Sequence, residues 1–304
     1  MSGPVAPEDT PALDASPAAA PDLEVTESRI RDVGGVTVRR ALPRRERRTV
    51  GPWCFLDHFG PVPAGMRVGP HPHIGLQTVT WLVEGEVLHR DSLGSEQLIR
   101  PGQLNLMTAG AGIAHAEETP ATYRGGMHGV QLWVALPEAT RHGEPAFEHH
   151  AELPRTAVGT AVATVVLGGF AGERSPARTD SPLVGVELAL SAGEVALPLE
   201  PTFEHALVVL EGAASLDGVP VRPGALATTS VGREELRVGT ADRARSLLIG
   251  GAPFEETLLM WWNFVARTRD EIDAATAGWN TGSGGIGEVT SSSLARISAP
   301  VPPW

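Results

Sequence analysis

The chain carries one pair of turn signals twice. Leu82-Val83-Glu84-Gly85 is followed by Arg100-Pro101-Gly102, and Leu207-Val208-Val209-Leu210-Glu211-Gly212 is followed by Arg222-Pro223-Gly224. Repetition on this scale means two structurally similar units rather than a solenoid. The markers flank short apolar runs such as Thr78 to Val83 and Leu104 to Thr108, and 35 Gly and 26 Pro interrupt such runs along the chain. That density excludes mostly helical folds and gives an all-β reading, with many strands joined by turns. The gap between markers is shorter in the second copy, Gly212 to Gly224 against Gly85 to Gly102, which calls for a shorter hairpin there.

Only the first copy carries a cluster of side chains with metal-binding chemistry. It opens with His71-Pro72-His73 and closes with His115-Ala116-Glu117. On an extended strand, residues i and i+2 share a face, so each pair points one way. Three imidazoles and a carboxylate brought together inside a β-barrel suit a borderline divalent cation. The repeat serves as an internal control. Sliding the first copy onto the second places Pro198 and Glu200 opposite His71 and His73, and Arg237 and Gly239 opposite His115 and Glu117. The scaffold is repeated without the donors, so they are not needed merely to build it.

The remaining sequence is less specific. A formal charge of −12 argues against nucleic acid as a partner. Cys54 is the single cysteine, which excludes an internal disulfide and reads as a buried structural thiol in a reducing compartment. No apolar run reaches the roughly 20 residues that cross a bilayer, and the acidic N-terminus is no signal peptide, so a cytoplasmic location is expected. Arg44-Arg45-Glu46-Arg47-Arg48 reads as a solvated strand edge. Asp57 and His58 must face opposite ways on a strand, while Gln131 and Trp133 share a face. His89 follows a turn and reads as exposed; His128 and His205 read as structural or solvated. Residues 137–155, holding His142, His149 and His150, read as a loop joining the halves. Leu258 to Ala266 reads as one buried strand. Thr268-Arg269-Asp270-Glu271 is a capping box, predicting a short helix from Arg269 to about Ala277.

Gly65 precedes His71 in a Gly-x5-His-x-His pattern, the cupin spacing. Together with Asp57-His58-Phe59-Gly60-Pro61, His71 to Thr80, Met107 to Glu117 and Gln131-Leu132-Trp133, it makes the chain resemble pirin and the bacterial pirin-like proteins. The resemblance implies two tandem cupin-type β-barrels, a bicupin. The expected division is a disordered tail over 1–23, a metal-binding barrel over 24–145, a degenerate barrel over 146–279 and an irregular surface tail over 280–304. It implies one iron held by His71, His73, His115 and Glu117, a donor set that also accepts Mn, Ni, Co, Cu or Zn. Where the family's first motif commonly has Glu, this chain has Gln77, which puts the polarity of the pocket in question. The implied activity is that of a metal-dependent quercetin 2,3-dioxygenase acting on a flavonol-like aromatic and O2, with Glu117 as the proton acceptor. The implied alternative is a non-enzymatic, iron-dependent redox regulator that binds a transcription factor or metabolic enzyme, with Arg44 to Arg48 as a reporting surface. A zinc-using sugar-phosphate isomerase ranks last, because no Lys/Arg clamp follows the metal motif. A monomer is expected, since two barrels in one chain can bury their sheets against each other.

Overall fold

A computed structural model describes residues 22–63 and 65–304. Two seven-membered paths of antiparallel strands and two four-stranded sheets account for nearly all of it. In the front unit the large sheet runs Ala146–His150, Leu104–Thr108, Leu76–Glu84, Gly126–Ala135, Trp53–Pro63, Val36–Leu42 and Arg29–Val33. Its small sheet runs Arg67–His73, Ile113–Glu118, Val87–Asp91 and Glu96–Ile99. The rear unit repeats both orders, with Glu24–Thr26 at one edge of the large sheet and Gly193–Pro198 beside Glu235–Thr240 in the small one. The expected shorter hairpin is the Asp217-Gly218 turn, whose two left-handed residues suit a two-residue connection.

Strand alternation decides what each sheet buries. On Gly126–Ala135, Val130, Leu132 and Val134 face the rear unit, while Gln131 and Trp133 face the front interior. The seam between the two large sheets is aliphatic, with Val79, Leu56 and Leu132 against Leu167, Val208 and Ile249. Trp53 crosses it, its indole N–H donating to the Gly250 carbonyl at 3.0 Å. The rear interior is filled mainly by aliphatic side chains from both of its sheets, with Phe170 among them. Strand pairing sets Val195 opposite Val238 and Leu197 opposite Leu236, all four buried, on the strands that correspond to those of His71, His73 and His115. The linear offsets put Pro198 and Glu200, and Arg237 and Gly239, in their places; loops of different length shift the true register. The outcome is the same, since no donor stands in the rear set.

Pairing crosses the linear division at both ends. Glu24–Thr26, the first strand among the described residues, pairs with Leu226–Thr229 of the rear sheet, and Ala146–His150 pairs with Leu104–Thr108 of the front sheet. Residues 137–155, expected as a plain loop, therefore hold an edge strand. The expected tail over 1–23 falls outside the described residues except for Asp22, which faces Arg233, and Leu23, which packs on the rear core.

The end of the chain returns to the front unit. Leu258 to Ala266 is a hairpin, Leu259–Trp261 against Phe264–Ala266, rather than one strand; its turn holds Trp262 at positive φ. Phe264 bridges to Ile74, and the hairpin packs with Ala114, Ala116 and the helix. Gly75 is required there, with φ +68° and an added Cβ only 2.1 Å from the Val265 carbonyl oxygen. The helix spans Arg269–Thr281, capped by the Thr268 hydroxyl and stopped by left-handed Gly282, one turn beyond the expected end. The final stretch is irregular as expected but is not merely laid on the surface. Val289 and Ala299 are buried, Trp279 donates to the Ile297 carbonyl, and Asn280 makes paired hydrogen bonds with Ala299. Among the described residues, no helix is long and apolar enough to cross a membrane.

Candidate metal centre

His71 and His73 stand on the edge strand Arg67–His73, and His115 and Glu117 on its neighbour Ile113–Glu118. The register pairs His115 with His71 directly, and an irregularity between His115 and Glu117 sets Glu117 opposite Val68. All four side chains are buried and line one cavity of about 490 Å³. Donor atoms of His71, His73 and His115 all lie within 4.8 Å of one another, as do those of His89, His115 and Glu117. Glu117 thus joins the cluster through His115, and His71 and His73 do not group with the second trio.

The outward nitrogens fix the tautomers. Nδ1 of His71 lies 2.9 Å from the Gly69 carbonyl oxygen, and Nδ1 of His73 lies 3.0 Å from that of Asn263. A carbonyl can only accept, so both Nδ1 atoms carry the proton and both Nε2 atoms present lone pairs. His115 is held differently. Its Nδ1 lies 3.4 Å from Nδ1 of His89, whose Nε2 lies 3.2 Å from the Asp91 carboxylate. The carboxylate takes the hydrogen bond of His89 Nε2–H, which leaves His89 Nδ1 as an acceptor facing His115 Nδ1. With its Nδ1 proton turned to that acceptor, His115 also presents an Nε2 lone pair, 3.1 Å from His73 Nε2. Two buried lone pairs facing each other without a proton are unfavourable until a cation sits between them. That separation lets one cation accept both lone pairs at imidazole–metal distances of about 2.1 Å. The donor set therefore fits a divalent metal.

Burial keeps the three imidazoles neutral. It lowers the His71 imidazole to about 4, against the Gly69 hydrogen bond, and holds His73 and His115 well below their ordinary value, helped by the neighbouring imidazoles. It pushes the Glu117 carboxyl up, opposed by His89 and Thr80. The Thr80 hydroxyl stands 3.2 Å from Glu117 Oε1 and 3.0 Å from the Gln131 amide oxygen. One hydroxyl proton serves one acceptor, so the consistent arrangement turns the Gln131 NH2 towards Thr80 and runs Gln131 to Thr80 to Glu117.

The cavity wall is aromatic and cationic. Phe55 stacks on Trp133 at 4.0 Å between centroids, Trp133 meets His73 edge-on, and Arg40 lies 4.5 Å over Phe55 while gripping Asp57 with two hydrogen bonds. Asp57 is the member of its pair that lines the cavity. His58 faces the seam, 2.8 Å from His128, which in turn meets Glu211 of the rear unit. Trp262, Asn263 and Ile297 close one side, so the second half of the chain completes a site that the first half begins.

The structure corrects several expectations. Gln77 points away from the cavity and donates to Thr108 at 3.0 Å, so its difference from Glu leaves the pocket's polarity untouched. His89 is not exposed: it is 2% accessible and stacks on Phe147 from the exchanged edge strand. The i, i+2 rule that pairs His71 with His73 also pairs His89 with Asp91, and that spacing is the sequence signal for this second, supporting pair. Arg44 to Arg48 is a loop rather than a strand edge, with Arg47 facing Glu24 and Glu204. Cys54 is fully buried and burial pushes its thiol to about 12, consistent with an inert role. Another large cavity, about 520 Å³, opens on the rear unit and contains one buried imidazole, His205, with no grouped donors among the described residues.

Comparison with known proteins agrees with this architecture. The chain is 48% identical over 276 residues to a candidate quercetin 2,3-dioxygenase of Pseudomonas aeruginosa, covering 89% of this chain and 87% of that protein. It is 39% identical to a pirin-like protein of Caulobacter vibrioides, covering 85% and 93%. A crystal structure of quercetin 2,3-dioxygenase from Acinetobacter baumannii superposes with a TM-score of 0.90 at 43% identity, covering 93% and 96%. A bacterial pirin of Escherichia coli in complex with nickel(II) shares the fold at 17% identity, with a TM-score of 0.63 and coverage of 76% and 100%. The Pirin family model matches residues 35–134, and that of the Pirin C-terminal cupin domain matches 185–285. With both models matched in order along its two barrels, the chain belongs to the pirin family and is a bicupin.

Proposed function

We propose that the chain is a metal-dependent, quercetin 2,3-dioxygenase-like oxidoreductase acting on a flavonol-type substrate. His71, His73, His115 and Glu117 hold one divalent ion, Fe(II) being favoured by the mixed imidazole and carboxylate set. The observation that carries the reading is the convergence of three imidazoles, with one ring nitrogen of each within 4.8 Å of the others, in a cavity walled by stacked aromatics. When bound, the ion supplies Lewis acidity that lowers the pKa of a phenol hydroxyl and holds its oxidisable anion for attack by O2.

The protein's own contribution follows from the wall. The Phe55–Trp133 face offers a flat apolar surface to a planar ring, and a cavity of this size suits a small aromatic molecule. Glu117 receives the substrate proton at a carboxylate oxygen, since burial raises its affinity for a proton. Thr80, steadied by Gln131, keeps Glu117 Oε1 in place. The names of the Pseudomonas and Acinetobacter relatives support the substrate class.

The test is metal analysis followed by oxygen uptake with flavonols. His71→Ala should lose both bound iron and turnover. Iron-loaded protein that consumes no oxygen with any flavonol would remove the enzyme reading. The regulator alternative would then stand, although Arg47, central to its reporting surface, already faces two carboxylates.

A further inference from the structure

Three imidazoles converge, but only two are anchored by groups with no choice. The carbonyls of Gly69 and Asn263 can only accept, so they fix His71 and His73 outright. His115 leans on another imidazole, which can donate or accept at the same atom. Its tautomer is therefore set one residue further away. Asp91 Oδ2 faces His89 Nε2, while Asp91 Oδ1 accepts the backbone N–H groups of Leu93 at 2.9 Å and Ser95 at 3.0 Å. These amides fix which oxygen looks at His89, and Phe147 stacks on the His89 ring at 4.4 Å and holds its plane.

We propose that Asp91 and His89 are positioning residues for the metal centre: Asp91 fixes the His89 tautomer, and His89 thereby turns the His115 Nε2 lone pair towards the cation. The proposal rests on the reading of His115 as a ligand. It does not depend on which metal is loaded or on the substrate.

Asp91→Asn reverses the chain of hydrogen bonds without changing its shape. The amides of Leu93 and Ser95 need an acceptor, so the Asn oxygen stays with them and its NH2 turns to His89. His89 Nε2 then accepts, its Nδ1 carries the proton, and His115 is driven to the Nε2–H form that cannot ligate. His89→Leu removes the acceptor but imposes no wrong tautomer, so its effect should be smaller. A purely structural role predicts the opposite order, because Asn preserves the packing and Leu does not.

The experiment uses the full chain. Nitrogen-15 imidazole spectra of metal-free protein read the His115 tautomer, and Co(II) titration reads affinity. We expect Nδ1–H on wild-type His115, Nε2–H in Asp91→Asn, and Co(II) binding weakened about 10–100-fold in that variant, the range for removing a ligand's outer partner. An unchanged tautomer, or Asp91→Asn binding Co(II) as tightly as wild type, overturns the proposal. Should Asp91→Asn not fold, His89→Gln and His89→Leu carry the test. Only Gln can accept the His115 hydrogen bond, so it should bind Co(II) several-fold more tightly than Leu, and equal affinities overturn the proposal. Wild type that shows the expected tautomer but binds no metal counts against the metal reading instead.

Discussion

If the front barrel keeps opposed lone pairs for a cation, then the metal-free protein should be improved by removing one of them. His115→Leu is the chosen change. His115 is 1% exposed, and in the tautomer whose Nδ1–H points to His89 its Nε2 faces that of His73 at 3.1 Å without a proton between them. Relieving an unsatisfied buried polar group is worth about 1–3 kcal/mol. Against this, the substitution forfeits the 3.4 Å approach to His89, which is beyond ordinary hydrogen-bond length and so at or below the low end of about 0.5–1.5 kcal/mol. A net gain of about 1–2 kcal/mol is expected in chelator. With metal at a hundredfold excess over its dissociation constant, wild type gains about 2.7 kcal/mol that the variant cannot. The order of stability should therefore reverse between chelator and Co(II). Urea denaturation under both conditions measures it, with the slope m checked for two-state behaviour. If the variant is less stable than wild type in chelator by about 1 kcal/mol or more, the lone pairs are satisfied by something other than a cation and the tautomer reasoning fails.

Three further outcomes follow from the same structure. His205, 2% exposed in the rear barrel, is lowered to about 4 by burial, so the unfolded chain binds its proton first as pH falls below 6.5. Its contribution is complete above that value and is lost through pH 4, so His205→Leu should gain about 2 kcal/mol on wild type between pH 7.5 and pH 5 in urea titrations; an equal difference at both pH values would contradict this. Trp53→Ala removes the seam's hydrogen-bonded aromatic and should cost about 3–5 kcal/mol, lowering the stability of both barrels together in one transition. Separate transitions for the two barrels would show that the seam does not couple them. Glu117→Gln should retain the fold by circular dichroism, weaken metal binding, and abolish flavonol-dependent oxygen uptake, whereas unchanged uptake would remove Glu117 from proton transfer.

Period-2 alternation makes much of this molecule legible in the sequence. It pairs His71 with His73 and His115 with Glu117, puts Gln131 with Trp133, and separates Asp57 from His58, because a strand's side chains have only two directions. Partner choice between strands is not written in that period. Nothing local in Glu24–Thr26 announces the rear sheet, and nothing in Ala146–His150 announces the front one. The hairpin of Leu259–Trp261 and Phe264–Ala266 leaves no sequence signal because its turn uses Trp262 at φ 52° where a glycine would have marked it. That turn supplies the Asn263 carbonyl to His73, so the part of the site that escapes the sequence is the part contributed by tertiary structure.

Metal content and X-ray absorption of the purified full chain address the central claim most directly. One divalent ion per chain, surrounded by three imidazole nitrogens and a carboxylate oxygen and lost in His73→Ala, is the expected result. A chain that binds no divalent ion, or one whose ion survives the loss of His71, His73 and His115 together, would contradict it.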